Sequence, residues 1–115
     1  KIKPVDINLV IDHHKDPPNG GFVGQYINHK AGSACATVFD LIDELGYSFN
    51  DDIEQDVRVA TALMTGITTD TENLMSDDTT EYEFHAWTKL FPCRDSDKLK
   101  KIINFERPKS WIEVK

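Results

Sequence analysis

The first hydrophobic run of the chain predicts a buried β-strand. Ile7 to Ile11 form a nearly continuous apolar run that is rich in β-branched side chains. Such runs are typical of strands that are buried on both faces of a parallel α/β sheet. The next segment, 15–30, contains Pro17-Pro18 and a pair of glycines, which are turn and loop signals. We therefore predict a strand over 7–11 and a loop over 15–30.

Beyond this loop, the apolar spacing changes to that of helices. Capping residues precede three apolar stripes, and these caps are Ser33, the pair Asp51 and Glu54, and the pair Thr80 and Glu83. Gly46 is suited to end the first helix and Pro92 the third, while the second is expected over about 53–65 with Arg58 facing outward. The predicted core positions are Ala34, Val38, Leu41, Ile42 and Leu45, then Ile53, Val57, Ala60, Leu63, Met64 and Ile67, then Phe84, Trp87, Leu90 and Phe91.

Two further helices and the fold class follow from the same pattern. A fourth helix is predicted over 97–104 and a fifth from Pro108. One strand with five helices is a helix-rich α/β inventory, and a single strand cannot form a sheet. Partner strands are therefore expected outside this chain or as short segments that the pattern does not show. The start at Lys1, which runs at once into an apolar segment, also favours a piece of a longer protein.

Composition narrows the class of protein. The 115 residues suit one domain, and no apolar stretch approaches the roughly 18 residues of a membrane span. The net charge of −7 argues against a groove that neutralises many phosphates, although a small metal-lined pocket remains compatible with it. Cys35 and Cys93 form no CxxC pair. Free thiols of this kind are typical of a reducing cytoplasm.

Two polar clusters carry the candidate chemistry. Asp12-His13-His14 follows the predicted strand, and the carboxyl ends of strands in α/β sheets open into ligand-binding crevices. Imidazoles bind manganese or zinc, and a neighbouring carboxylate can fix an imidazole tautomer. The segment 66–72 ends the most amphipathic helix, where Gly66 permits close backbone approach and Asp70 offers oxygen ligands of the kind that magnesium and manganese prefer. The structural alternatives are a polar loop and a turn-forming aspartate.

In this order, the two clusters resemble the DHH phosphoesterase superfamily. The resemblance rests on an apolar strand ending in Asp12-His13-His14, the small-residue turn at 31–35, and Gly-Ile-Thr-Thr-Asp-Thr at 66–71. The superfamily includes RecJ-type exonucleases, NrnA-type nanoRNases, cyclic-dinucleotide phosphodiesterases, exopolyphosphatases and family II pyrophosphatases. Stretches 90–92 and 104–108 are similar to an exopolyphosphatase-related branch. The resemblance covers nearly the whole chain.

The resemblance implies a domain arrangement. The superfamily builds its metal site from four motifs, and this chain contains only the third and the fourth. Residues 1–92 would be the C-terminal half of a DHH domain, with a parallel sheet and helices on its faces. Residues 93–115 would be connector helices that lead to an absent C-terminal domain.

It also implies a role for each site residue. His13 and Asp70 would ligate metal, and His14 would approach the scissile phosphate as a catalytic and substrate-binding residue. Asp12 would be the second catalytic residue, orienting the two histidines. The implied cofactors are two divalent ions, manganese first and magnesium as the alternative. A shared ion requires ligand atoms of His13 and Asp70 within about 4–5 Å of each other.

The implied function is metal-dependent hydrolysis of phosphodiester or phosphoanhydride bonds in short oligonucleotides, nucleotides or polyphosphate. The alternatives are an inorganic pyrophosphatase or exopolyphosphatase on the same scaffold, and a non-catalytic structural domain. The implied partner is a small phosphorylated substrate or a short oligonucleotide, in the cytoplasm and away from membranes, and the resemblance allows a homodimer. This chain alone, with two motifs of four, is expected to be inactive.

Overall fold

The computed structural model describes residues 9–14, 24–28 and 30–106. The predicted fifth helix lies outside these residues, as do Ile7, Asn8 and His29. Among the described residues, no helix combines the length and the apolar character that crossing a membrane requires.

Two short parallel strands form the sheet. Strand β1 spans Leu9–Asp12 and strand β2 spans Gly24–Ile27, with Leu9 opposite Gly24 and Asp12 opposite Ile27. The parallel arrangement and the position of Asp12 at the strand end confirm the prediction. Strand β2 corrects it, because this partner strand lies inside the segment that we expected to be a loop. Four residues that begin with glycine are too short for period-two alternation to identify.

The sheet is less buried than its sequence suggested. Leu9 is 51% exposed, and Val10 and Ile11 are half-buried. Among the described elements, one helix packs on these strands, namely α1, which spans Ala34–Glu44. The expectation of a strand covered on both faces is therefore wrong for the described part of the molecule.

Helix α1 begins and ends as predicted, but with a different inward face. The Ser33 hydroxyl accepts a hydrogen bond from the Ala36 backbone N–H, and Gly46 follows the helix with a left-handed φ of 85°. Ala36 and Phe39 are buried, whereas Leu45 is 76% exposed. Val38 and Ile42 of the predicted stripe are partly buried and pack against the core, so the prediction is confirmed there. The buried face also includes Ala36 and Phe39 because α1 packs against the sheet and two other helices at once.

Helix α2, Glu54–Thr71, is the centre of the core. Its predicted inward face is confirmed at Ala60, Leu63, Met64 and Ile67, which are all buried, while Ile53 is 45% exposed. The helix is also longer than predicted. Its threonine hydroxyls donate back to carbonyls one turn earlier, and the residues concerned are Thr61, Thr65, Thr68, Thr69 and Thr71.

The predicted cap of α2 at Asp51 is wrong. Ile53 precedes the helix and makes no capping hydrogen bond with its side chain. The buried carboxylate of Asp56 instead accepts hydrogen bonds from the Tyr47 hydroxyl and, at 2.9 Å, from the Asn50 backbone N–H. Asp56, in the first turn of α2, thus fixes the segment that precedes this helix.

Helices α1 and α2 run antiparallel. Ile42, late in α1, and Val59, early in α2, line the same groove. At the other end, Gly66 packs so closely on Cys35 that a Cβ at Gly66 would overlap the cysteine sulfur. The close approach predicted for Gly66 is confirmed. The C-terminal end of α2 therefore lies where α1 begins.

Helix α3, Glu81–Leu90, confirms its predicted capping box between Thr80 and Glu83. Its inward residues are Glu83, Ala86 and Leu90, each with no exposed surface. Phe84 was predicted in the core and is instead 53% exposed. A buried glutamate occupies the inward stripe where the apolar pattern placed a phenylalanine.

A 3₁₀ turn, Phe91–Cys93, and helix α4, Ser96–Glu106, complete the described chain. Phe91, also predicted in the core, is 45% exposed and is covered on one face by the Arg94 guanidinium, 3.6 Å from the ring centroid. The Asp95 backbone N–H donates to the Thr61 hydroxyl at 2.8 Å, which fixes α4 against α2. Both cysteines of the chain are free thiols, as expected.

Candidate metal centre

His13 follows β1 directly, and a backbone carbonyl orients its ring. Its Nδ1 lies 3.1 Å from the carbonyl oxygen of Ala31. A carbonyl only accepts hydrogen bonds, so Nδ1 must carry the proton and donate. In the neutral ring, this leaves a lone pair on Nε2, which is the state in which an imidazole binds a metal ion.

Asp12, the last residue of β1, organises the two residues that follow it. Its Oδ1 accepts hydrogen bonds from the His13 backbone N–H at 2.8 Å and from Nδ1 of His14 at 2.7 Å. Burial tends to raise the pKa of Asp12, but the hydrogen bonds from His13 and His14 outweigh this effect, and the pKa is lowered. Because a carboxylate only accepts, His14 also donates from Nδ1 and keeps a lone pair on Nε2.

These three residues are candidate ligands of a divalent metal ion. Each offers one ligand atom, and the three atoms lie within 4.8 Å of one another. Metal–ligand bonds of about 2.0–2.2 Å require ligand atoms no more than roughly 4.4 Å apart. Closing this difference requires a rotation of the His14 side chain, which is 70% exposed, and that rotation breaks its hydrogen bond to Asp12. Two imidazoles and a carboxylate are a donor set that suits manganese, zinc or iron.

A cavity of about 420 Å³ opens beside the histidines. We call it the histidine cavity, and its lining residues are His13, His14, Lys30, Ala31, Gly32, Asp77, Asp78 and Thr80. The lining thus includes two histidines, two aspartates and an exposed lysine. The volume is in the range of small-ligand sites.

Asp70, the other predicted ligand, lies on the last turn of α2, is exposed and does not belong to the group of three. It comes one helical turn after Gly66, at the end of the helix pair where α1 begins and where Ala31 holds His13. Burial raises the pKa of the Cys35 thiol, and the Asp70 carboxylate raises it further. Asp70 thus lies at the same end of the α1–α2 pair as Ala31, and its role as a ligand stays a prediction.

A left-handed turn after α2 directs the chain toward the histidine cavity. Glu72, Asn73 and Leu74 have φ values of 49°, 60° and 68°, a conformation that costs a non-glycine residue about 1–2 kcal/mol. Thr71 stabilises this turn, because its carbonyl accepts from the Met75 N–H at 2.9 Å and its hydroxyl accepts from the Leu74 N–H at 3.0 Å. The turn carries the segment 76–78 to the cavity wall.

Two aspartates of that segment belong to the cavity lining. Asp77 and Asp78 are exposed, and they line the histidine cavity. The close packing of Gly32, where a Cβ would overlap the Asp78 carbonyl oxygen, explains how they arrive there. The segment 68–71, which consists of three threonines and Asp70, does not indicate the left-handed turn that follows it, so no simple sequence signal identifies this part of the cavity.

Comparisons with protein-family models and with curated proteins found no match to this chain. The resemblance to the DHH superfamily therefore rests on the sequence motifs alone.

Proposed function

We propose that this protein is part of a metal-dependent phosphoesterase of the DHH type. The observation that carries the proposal is the Asp12-His13-His14 group at the end of a parallel strand, in which both Nδ1 atoms donate hydrogen bonds and, in the neutral rings, both Nε2 lone pairs stay available. A surface loop that merely contains two histidines has no need for this tautomer at both rings. The adjoining cavity provides space for a phosphorylated ligand.

The roles of the residues follow from their hydrogen bonds. His13, held by the Ala31 carbonyl, would bind a divalent ion through Nε2, while Asp12 orients His14. His14 is the most exposed of the three and would contact the phosphoryl group from the cavity side. When bound, the divalent ion would supply the positive charge that lowers the pKa of a water molecule and polarises a phosphoryl oxygen.

The finer assignments extend this proposal. Asp70 would be a further ligand, because it lies at the same end of the α1–α2 pair. A second ion would need carboxylates from the first two DHH motifs, which this sequence does not contain. Oligonucleotide, nucleotide, polyphosphate and pyrophosphate are the substrate classes to be compared, and the full-length gene product is the right material for that comparison.

Manganese binding is the first test of the proposed metal site. Isothermal titration of this protein with Mn²⁺ should show binding that His13→Ala removes, because the substitution deletes the oriented Nε2. The matched control is His85→Ala, which removes an imidazole that lies near Asp43, on the outer side of α1 and α3. Equal loss in both variants, or retention in His13→Ala, would contradict the proposed site.

Activity provides the second arm of the same experiment. The full-length gene product is assayed with Mn²⁺ on a model diester, a short oligoribonucleotide, polyphosphate and pyrophosphate. His13→Ala and Asp70→Asn should abolish turnover while leaving the melting temperature near that of the wild type, because both side chains are at least partly exposed. Hydrolysis that survives both substitutions would place the active site elsewhere.

A further inference from the structure

The buried carboxylate of Glu83 connects the start of α3 to the loop that precedes α1. The side chain has no exposed surface, and it belongs to the first turn of α3. Its Oε1 accepts from the backbone N–H and the hydroxyl of Thr80, at 2.7 and 2.6 Å. Its Oε2 accepts from the Gly32 N–H at 2.8 Å and from the Ser33 hydroxyl at 3.3 Å. One oxygen thus completes the helix cap, and the other holds the loop before α1.

The Gly32 N–H and the Ala31 carbonyl belong to the same peptide unit. A trans peptide is planar, and its N–H and C=O point in opposite directions. The described chain contains no cis peptide, so this geometry applies to the Ala31–Gly32 bond. When Glu83 holds the N–H, the carbonyl is directed the other way, where it meets Nδ1 of His13 at 3.1 Å. Donation to a carboxylate also polarises the peptide and makes its carbonyl a stronger acceptor.

We propose that Glu83 is a positioning residue of the metal centre, which sets the orientation and tautomer of His13 through the Ala31–Gly32 peptide. The inference rests on the proposed function, since it explains how Nε2 of His13 is kept ready for a metal ion. It also explains why the Glu83 carboxylate is buried among four hydrogen-bond donors. A helix cap alone does not require this arrangement. A capping box needs only the oxygen that faces Thr80.

Glutamine is the informative substitution at this position. It preserves shape, but one of its two terminal atoms becomes an NH₂ group that only donates. A hydroxyl can rotate to accept from that group, whereas a backbone N–H cannot. Each carboxylate oxygen of Glu83 accepts from one backbone N–H, so E83Q must leave either Gly32 or Thr80 facing a donor. The Thr80 side can be tested separately with T80A, which removes the cap hydroxyl and leaves the bond from Gly32 in place.

The experiment compares wild type, E83Q and T80A by two measurements. Long-range nitrogen–proton correlation spectra of the imidazoles, recorded without metal at a pH where the rings are neutral, report the tautomer of His13. Titration with Mn²⁺ reports the affinity. In the wild type, we expect one tautomer with the proton on Nδ1. In E83Q, we expect a mixture of tautomers and an affinity about 10-fold weaker, the lower end of the usual effect of losing an outer-shell partner.

T80A is expected to lower the melting temperature without changing the His13 tautomer or the manganese affinity. An E83Q protein in which the Gly32 amide loses its protection from hydrogen exchange, but which keeps the wild-type tautomer and affinity, would overturn the proposal. An E83Q protein that keeps both the Gly32 protection and the wild-type tautomer supports it, because the glutamine oxygen then faces Gly32. A T80A protein with the losses expected of E83Q would also overturn the proposal. If E83Q does not fold, two measurements on the wild type test the proposal instead. A Gly32 amide protected from hydrogen exchange together with the Nδ1–H tautomer supports the proposal, and the absence of either overturns it. Should the wild type bind no Mn²⁺, the proposed function fails, while the metal-free tautomer spectra still decide the role of Glu83.

Discussion

The helical core and the sheet edge of this protein are held together by different forces. In the core, Met64, Ile67 and Leu90 are fully buried apolar side chains from two helices. At the sheet edge, Leu9 is half exposed, and order comes from hydrogen bonds, such as the one from His13 to a carbonyl 18 residues away. Apolar burial is non-directional and tolerates small shifts, whereas a hydrogen bond fixes one orientation of one ring. The part that we propose as a metal centre is therefore built from the directional interactions.

The strongest test of this contrast compares Leu90→Ala with Ile11→Ala. Leu90 has no exposed surface, so its truncation should cost about 2–5 kcal/mol of unfolding free energy through lost transfer energy and a residual cavity. Ile11 is half-buried in β1, and its truncation should cost only about 1 kcal/mol. Urea denaturation measures both. Thr88→Ala, an exposed position on α3, is the control and should change stability by less than about 0.5 kcal/mol. Equal losses of unfolding free energy in Leu90→Ala and Ile11→Ala would contradict the contrast between the core and the sheet edge.

A second test addresses the point where the core meets the site. Gly66→Ala should gain about 1 kcal/mol of helix propensity but lose more through overlap with the Cys35 sulfur, for a net loss of about 1–3 kcal/mol. In a Cys35→Ala background, the loss should shrink by at least about 0.5 kcal/mol, because the overlapping atom is gone. Thermal unfolding of the four proteins of this cycle gives the coupling energy.

The control for helix propensity is Ala62→Gly, at an exposed position of the same helix, which should cost about 1 kcal/mol in either background. Additive effects of Gly66→Ala and Cys35→Ala would show that the two helices do not approach as closely as described. Since Cys35 lies at the start of α1, next to the loop that holds His13, Gly66→Ala should also weaken manganese binding.

The same contrast explains what the sequence could predict. The helices were found because their caps and apolar spacing are local: Ser33 begins α1, and the pair Thr80 and Glu83 begins α3, as expected. The errors occur where tertiary packing outweighs spacing. Phe84 and Phe91 fit an apolar stripe, yet both are about half exposed. A pattern indicates that a helix has an apolar face, but not how far its neighbours rotate that face.

Sequence patterns identified only one part of the candidate site. Asp12, His13 and His14 are adjacent in the sequence, and a strand in front of them is enough to single them out. The second half depends on contacts that span the chain. The bond between Glu83 and the Gly32 N–H joins residues 51 positions apart, and only the capping role of Glu83 has a local signature. Strand β2 was missed for a related reason, because a short strand is defined by its partner.

The smallest expected effect concerns the tether between the sheet edge and α1. The Tyr26 hydroxyl donates to the Glu44 carboxylate at 3.0 Å. Burial, together with the carboxylate of Glu44, raises the pKa of Tyr26 from 10.0 to about 12. Since the folded protein holds this proton more tightly than the unfolded chain, the stabilisation is fully present below pH 10.0 and is lost as the pH rises toward about 12. At neutral pH, Tyr26→Phe should cost no more than an ordinary exposed hydrogen bond, about 0.5–1.5 kcal/mol.

The decisive measurement is the difference in melting temperature between wild type and Tyr26→Phe across the alkaline range. That difference should be constant up to about pH 10 and then narrow, because only the wild type loses a proton from this site. Glu44→Gln serves as the companion variant: it keeps an acceptor oxygen but removes the charge, so its own tyrosine step should move back toward pH 10.0. A difference that stays constant through the whole range would mean that Tyr26 ionises equally in both states, and that β2 is held to α1 by packing alone. In that case the hydrogen-bonded character of the sheet edge would be confined to the residues around Asp12.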